Sequence, residues 1–125
     1  MESARGVIVC PSNPFISIGP ILAVPGIREA LTCCKAPVLA VSPIVAGKAL
    51  KGPTAAMLRQ MKMPATASAV AAMYRDFADV YVLDESDREE AGKVADLPME
   101  SRTAPIIMTD DASRARLAQV LLEML

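Results

Sequence analysis

A chain of 125 residues, 53% hydrophobic, 22% charged and 3% aromatic, is one domain's worth of polypeptide and can bury a real core. Thirteen Lys plus Arg against fourteen Asp plus Glu leave a net charge of -1, which excludes the basic face of a nucleic-acid binder. The longest apolar stretches, 20–27 and 36–46, are cut by Pro25, Ser42 and Pro43 before they reach the ~20 residues a membrane span needs.

In chain order, short apolar runs alternate with helix-length amphipathic ones, the pattern of βαβ units on a parallel sheet. The opening Glu2 and Arg5 lead into a strand over 6–10, without the charged-then-apolar layout of a signal peptide, so a cytoplasmic α/β domain is expected. Pro20 opens a first short helix. Pro25 suits the first turn of another, through Ile27, Leu31 and Cys34. A second strand is expected over 37–42. Pro53 opens a helix over 54–61 with Met57, Leu58 and Met61 on one side, and Pro64 ends it. Thr66 caps the next helix, where Val70, Met73, Tyr74 and Phe77 fall at i, i+3, i+4 and i+7. A third strand is expected over 80–83, ending in Asp84, and a fourth over 105–108, ending in Thr109 and Asp110. Between them, 84–100 reads as a solvated short helix and loop. The last helix carries Leu117, Val120, Leu121 and Met124 in one stripe behind an acidic start at Asp110 and Asp111. The methionines at helix spacing, Met57, Met61 and Met73, read as gap-filling core rather than as a binding groove.

Histidine is absent, which removes Ser-His-Asp triads, Cys-His dyads and His-based zinc sites. Cys10, Cys33 and Cys34 lack C-x-x-C spacing and read as plain buried or half-buried thiols. Chemistry therefore falls to carboxylates, hydroxyls, lysines, backbone amides or a bound metal. In an open parallel sheet, ligands bind beyond the carboxyl ends of the strands. After the first strand stand Ser12, Asn13 and Ser17, short side chains able to donate to an anion, with Gly19 leaving room for close approach to the backbone. The same Ser12 and Asn13 equally suit an Asx-type turn. After the second strand, Ser42 leads into a loop where Lys48 and Lys51 lie between Gly47 and Gly52, placed as point charges for a phosphate or as ordinary surface lysines. Neither a Walker-type nor a dinucleotide fingerprint occurs.

Two long segments carry a resemblance. Cys10-Pro-Ser-Asn-Pro-Phe-Ile-Ser-Ile-Gly-Pro-Ile-Leu-Ala-Val-Pro-Gly-Ile-Arg28 closely resembles the signature of the 2-phospho-L-lactate transferase (CofD/FbiA) family. Ala36-Pro-Val-Leu-Ala-Val-Ser-Pro-Ile-Val-Ala-Gly-Lys-Ala-Leu-Lys-Gly-Pro53 resembles its second signature. The surroundings of Tyr74, Asp76, Val82 and Asp84, and Thr109-Asp110 with 114–117, are similar to its later blocks.

The resemblance implies a Rossmann-like, three-layer α/β fold on a mainly parallel sheet of about four strands, with 1–125 one α/β domain and its sheet half of a larger one. It implies transfer of a 2-phospho-L-lactyl or phosphoenolpyruvyl group from a guanosine-diphosphate-activated donor to the deazaflavin precursor Fo. GMP is released, with Mg2+, in coenzyme F(420) biosynthesis. Ser12, Asn13, Pro14, Ser17, Ile18, Gly19 and Ser42 would line the substrate edge, Lys48 and Lys51 would neutralise the diphosphate, and Asp84 and Asp110 would face the metal. The chain opens where the family's second half begins. The glycine-rich loop and main metal carboxylates are therefore expected upstream, and a missing amino-terminal half or a second copy is the expected partner. Ala46 stands where the family more often has glycine, a substitution that stiffens the loop. The alternatives are a nucleotide-sugar-binding regulator of the same superfamily and a truncated remnant without activity of its own.

Overall fold

The computed structural model describes residues 4–125. Strand β1 (Val7–Val9) is followed by a π-turn (Pro14–Ile18) and two short helices, α1 (Gly19–Leu22) and α2 (Ile27–Thr32). Strand β2 (Val38–Val41) leads into a small hairpin of β3 (Ile44–Val45) and β4 (Lys48–Ala49), then helices α3 (Thr54–Gln60) and α4 (Ala67–Met73). Strand β5 (Val80–Asp84), a 3-10 segment (Glu85–Glu90), α5 (Ala91–Ala95), β6 (Glu100–Ala104) and α6 (Asp111–Glu123) complete the order.

The four longer strands form one parallel sheet in the order β1-β2-β5-β6. Because side chains alternate across a strand, the central pair feeds two cores. Val38 and Ala40 of β2, with Tyr81 and Leu83 of β5, face Leu31, Leu58, Val70 and Val94 from α2 to α5. Leu39, Val41 and Val82 turn the other way, onto Leu117 and Leu121 of α6. Helices on both faces of a parallel sheet make the three-layer, Rossmann-like arrangement expected from the sequence. Each of Leu58 and Val70, at 0% exposure, contributes roughly 1.5–3 kcal/mol by leaving water. Among the described residues no helix is long and apolar enough to cross a membrane.

Local chemistry explains the helix starts. The Thr66 hydroxyl accepts from the Ala69 amide at 3.2 Å, and Asp110 and Ser113 close a reciprocal capping box on α6. At the start of α2 it is Gly26, with φ of 86°, that stands at the cap, and Pro25 lies outside. Helix α4 stops at Met73, so Tyr74 and Phe77 are buried beyond its end rather than on a continuous stripe. Met61 is the residue after α3 and is 57% exposed, so it fills no core gap. Cys10 and Cys33 are exposed and only Cys34 is half-buried, which corrects the buried reading of the thiols.

The fourth strand differs from expectation. Pro105 to Met108 is not a strand: the strand is β6, five residues earlier, and 84–100 accordingly ends inside the sheet. β6 lies on an edge, where Glu100 to Thr103 alternate between exposed and half-buried and only Ala104 is buried, so it has no apolar run to betray it. In the run that looked like a strand, Ile106 is buried while Ile107 is 49% exposed. The β3–β4 hairpin was expected as loop, since two-residue strands leave no periodicity. Its turn holds Ala46 and Gly47 at φ of 48° and 71°, both in the left-handed region that a two-residue hairpin demands.

Candidate functional site

The carboxyl ends of β1 and β2 open onto a cleft of about 280 Å3 between the first loop and the segment leaving the hairpin. Ser12, Asn13 and Ser17 form one wall, and Pro43, Leu50, Lys51 and Gly52 the other. Two crossover loops far apart in sequence are brought together because β1 and β2 are adjacent and parallel, with Val9 opposite Ala40.

Asn13 builds its own wall. Its side-chain oxygen accepts from the Phe15 and Ile16 amides at 2.8 and 3.2 Å, and its backbone oxygen accepts from the Ser17 and Ile18 amides, both at 3.0 Å. The Asx-type turn is therefore formed, and the oxygen of Asn13 is committed to it. Among the described residues its Nδ2 donates only to the Met57 sulfur, a weak acceptor, at 3.4 Å. Pro14 fixes the first position of the turn, and both Pro14 and Ile18 are buried in support of it rather than open to a ligand. Gly19 donates its amide to the Pro14 carbonyl, and a Cβ at 19 would stand 2.8 Å from that oxygen. The close approach that Gly19 allows is thus to the chain itself.

Ser42 is fully buried. Its hydroxyl donates to the Ile44 carbonyl at 2.8 Å and lies 3.1 Å from the Ile44 amide, bending the chain from β2 into β3. The two lysines part company. Lys51 is exposed and lines the cleft, whereas Lys48 is exposed on β4 opposite Val45 and lies outside the cleft lining. Among the described residues neither lysine is in an ion pair, so the cleft carries an uncompensated positive charge beside two serine hydroxyls. Such a site attracts an anion.

The carboxylates expected at a metal are committed elsewhere. Burial pushes the Asp84 carboxyl up, but the Ser86 hydroxyl (2.6 Å), the Ser86 amide (3.0 Å) and the Ile106 amide (3.1 Å) outweigh it and hold it below 3.8. Asp110 is exposed and caps α6, where the Ser113 amide and hydroxyl lower its pKa. Three hydrogen bonds leave Asp84 poorly suited to a metal, and among the described residues no three His, Cys, Asp or Glu gather as a metal-holding group. These residues do not fit a Mg2+ centre.

Sequence reasoning missed Asp87, whose two carboxylate oxygens both accept from the Ala46 amide at 3.0 Å. It sits inside a charged run that read as solvated, and only the non-helical backbone at Asp87 (φ -102°, ψ 21°) turns it inward. No sequence signal marks that kink. Leu50 and Pro43 on the cleft wall were equally hidden, because their role depends on a hairpin too short to see.

Comparison with known proteins agrees with this architecture. Residues 1–123 match the family model of 2-phospho-L-lactate transferase CofD. The chain is 39% identical over 123 residues to the phosphoenolpyruvate transferase of Kitasatospora aureofaciens, covering 98% of this chain and 38% of that protein. It is 34% identical over 122 residues to the 2-phospho-L-lactate transferase of Methanosarcina mazei, covering 98% of this chain and 40% of that protein. It is 40% identical over 129 residues to the phosphoenolpyruvate transferase of Mycobacterium ulcerans, covering 99% of this chain and 38% of that protein. The chain thus spans about two fifths of the length of these curated relatives. With the parallel sheet, the paired loops at its carboxyl edge and a match running through almost every residue, this chain belongs to the CofD 2-phospho-L-lactate transferase family.

Proposed function

We propose that this chain forms one wall of a transferase active site that moves a 2-phospho-L-lactyl or phosphoenolpyruvyl group from a guanosine-diphosphate-activated donor to Fo. In that reaction the acceptor hydroxyl oxygen bonds to the phosphorus bearing the acid, and the bond from that phosphorus to the bridging oxygen of GMP breaks. GMP leaves with that oxygen, and the hydroxyl proton passes to solvent or to the leaving phosphate. This belongs to coenzyme F(420) biosynthesis. The observation that supports the reading most is the convergence of Ser12, Ser17 and Lys51 on one cleft from two separate loops.

Phosphoryl-type transfer depends on holding reactants in line and stabilising charge, so a site without histidine is adequate to it. Lys51 supplies a mobile point charge to the diphosphate, and the Ser12 and Ser17 hydroxyls donate to its oxygens. The Asn13 side chain is held in place through its oxygen, and its Nδ2, whose partner is a weak thioether acceptor, keeps donor capacity for the ligand. Mg2+ would share the neutralisation of the diphosphate. We place its ligands outside Asp84 and Asp110, in a further segment of the transferase or a second copy, which would also complete the site.

The test is equilibrium binding of GDP to the 125-residue chain, together with mass detection of Fo-phospholactate when the chain is combined with the segment that completes the site, Mg2+, Fo and the activated donor. No product with any donor would overturn the reading. GDP binding that Lys51→Ala weakens by about fivefold is the expected result, the share of one partly exposed charge contact. Affinity for UDP-sugars with none for guanine nucleotides would replace this reading with the regulatory one.

A further inference from the structure

The cleft wall at 50–53 has no long strand or helix of its own to fix it, yet it carries Lys51. It runs directly out of the β3–β4 hairpin and into α3. Two groups clamp the tip of that hairpin. Asp87 receives the Ala46 amide on both oxygens at 3.0 Å, and Arg59 of α3 donates to the Gly47 carbonyl at 3.2 Å. At the base, the Leu50 amide donates to the Pro43 carbonyl at 2.9 Å, so the cleft residues Pro43 and Leu50 are tied to each other across the hairpin.

The clamp acts against a local preference. Ala46 has φ of 48°, a left-handed backbone that a residue with a Cβ avoids. A turn built on alanine there needs an outside hold, and the buried Asp87 carboxylate supplies it through a charge-assisted bond reaching 41 positions along the chain. The kink at Asp87 in the 3-10 segment serves that contact. We infer that Asp87 is a positioning residue: by fixing the Ala46–Gly47 turn from below, it sets where Lys51 stands in the anion cleft. This rests on the proposed reading of that cleft as an anion site.

The experiment uses the 125-residue chain in four forms: parent, Asp87→Ala, Asp87→Ala with Ala46→Gly, and Leu121→Ala. Leu121→Ala is a destabilising control on the α6 face. Two readouts are taken well below each melting temperature: amide NMR shifts of residues 44–52, and the Kd for inorganic pyrophosphate. Asp87→Ala is expected to displace the amide signals of 46–52 and weaken pyrophosphate binding by about tenfold, the scale of one hydrogen bond to a charged group. Glycine at 46 takes the left-handed turn without help, so the double variant recovers most of both. Leu121→Ala changes neither. Unmoved signals at 50–52 in Asp87→Ala would overturn the positioning role, as would moved signals with an unchanged Kd. If the parent itself ignores pyrophosphate, the anion reading of the cleft fails and the positioning role falls with it, even where the NMR shifts show Asp87 holding the turn.

Discussion

At the scale of single residues, polar groups at strand ends have two uses, and this chain spends most of them on its own backbone. Asp84 is the clearest case. Its pKa lies below 3.8 because the Ser86 hydroxyl, the Ser86 amide and the Ile106 amide outweigh the effect of burial. A carboxyl lowered on folding stabilises above its unfolded value, and that contribution disappears as pH falls through the folded one. Glu90, lowered against burial by Lys93 and Ser68, and Asp110, lowered by Ser113, act in the same direction. Urea unfolding as a function of pH should therefore show stability falling from about pH 4 downward. Asp84→Asn should lose about 1–2 kcal/mol at neutral pH and flatten part of that acid slope. An unchanged slope in the variant would show that Asp84 is not a principal source of it. Composition alone could not tell a carboxylate aimed at a ligand from one aimed at Ile106.

Among the elements, legibility followed burial. The central strands, covered on both faces, stood out as apolar runs at 37–42 and 80–83 and are observed at Val38–Val41 and Val80–Asp84. The Thr66 cap was equally readable, because a hydroxyl there has few other ways to satisfy a helix start, whereas Asp110 read as an acidic start and a metal-side carboxylate and proves to be the cap of α6. The edge strand β6 and the two-residue strands of the hairpin were not, since solvent on one side removes the apolar signal and shortness removes the period. The π-turn at Pro14–Ile18 lay inside the most diagnostic segment of the chain, yet no pattern displays one of the contacts that close it. That contact is the Gly19 amide on the Pro14 carbonyl, an oxygen that a Cβ at 19 would approach to 2.8 Å. Gly19→Ala should cost about 1–3 kcal/mol, seen as a lower melting temperature, because backbone rather than a flexible side chain must move. A rise in melting temperature would mean the turn opens freely and alanine's helix preference prevails.

For the whole molecule, the two cores are unequal. One face of the sheet is covered by α2 to α5, and on the other α6 is the one long helix, with Leu117 and Leu121 as its buried anchors. Leu121→Ala should therefore cost about 2–5 kcal/mol in urea unfolding, the range for emptying a buried leucine site. A loss under 1 kcal/mol would mean that neighbouring side chains collapse into the gap. The cleft, at the carboxyl edge, is assembled from loops between these layers, so its shape depends on sheet order more than on either core.

The two margins of the sheet also differ. β6 carries Glu100 and Arg102, both exposed and joined at 2.7 Å, a charged fringe that discourages another strand from docking alongside. β1 presents only Val7, Ile8 and Val9 and, among the described residues, has no neighbour on its outer flank. The sheet therefore ends in two unlike ways: a charged fringe along β6, and a bare apolar margin along β1, the strand from whose carboxyl end the Ser12 and Asn13 wall of the cleft rises.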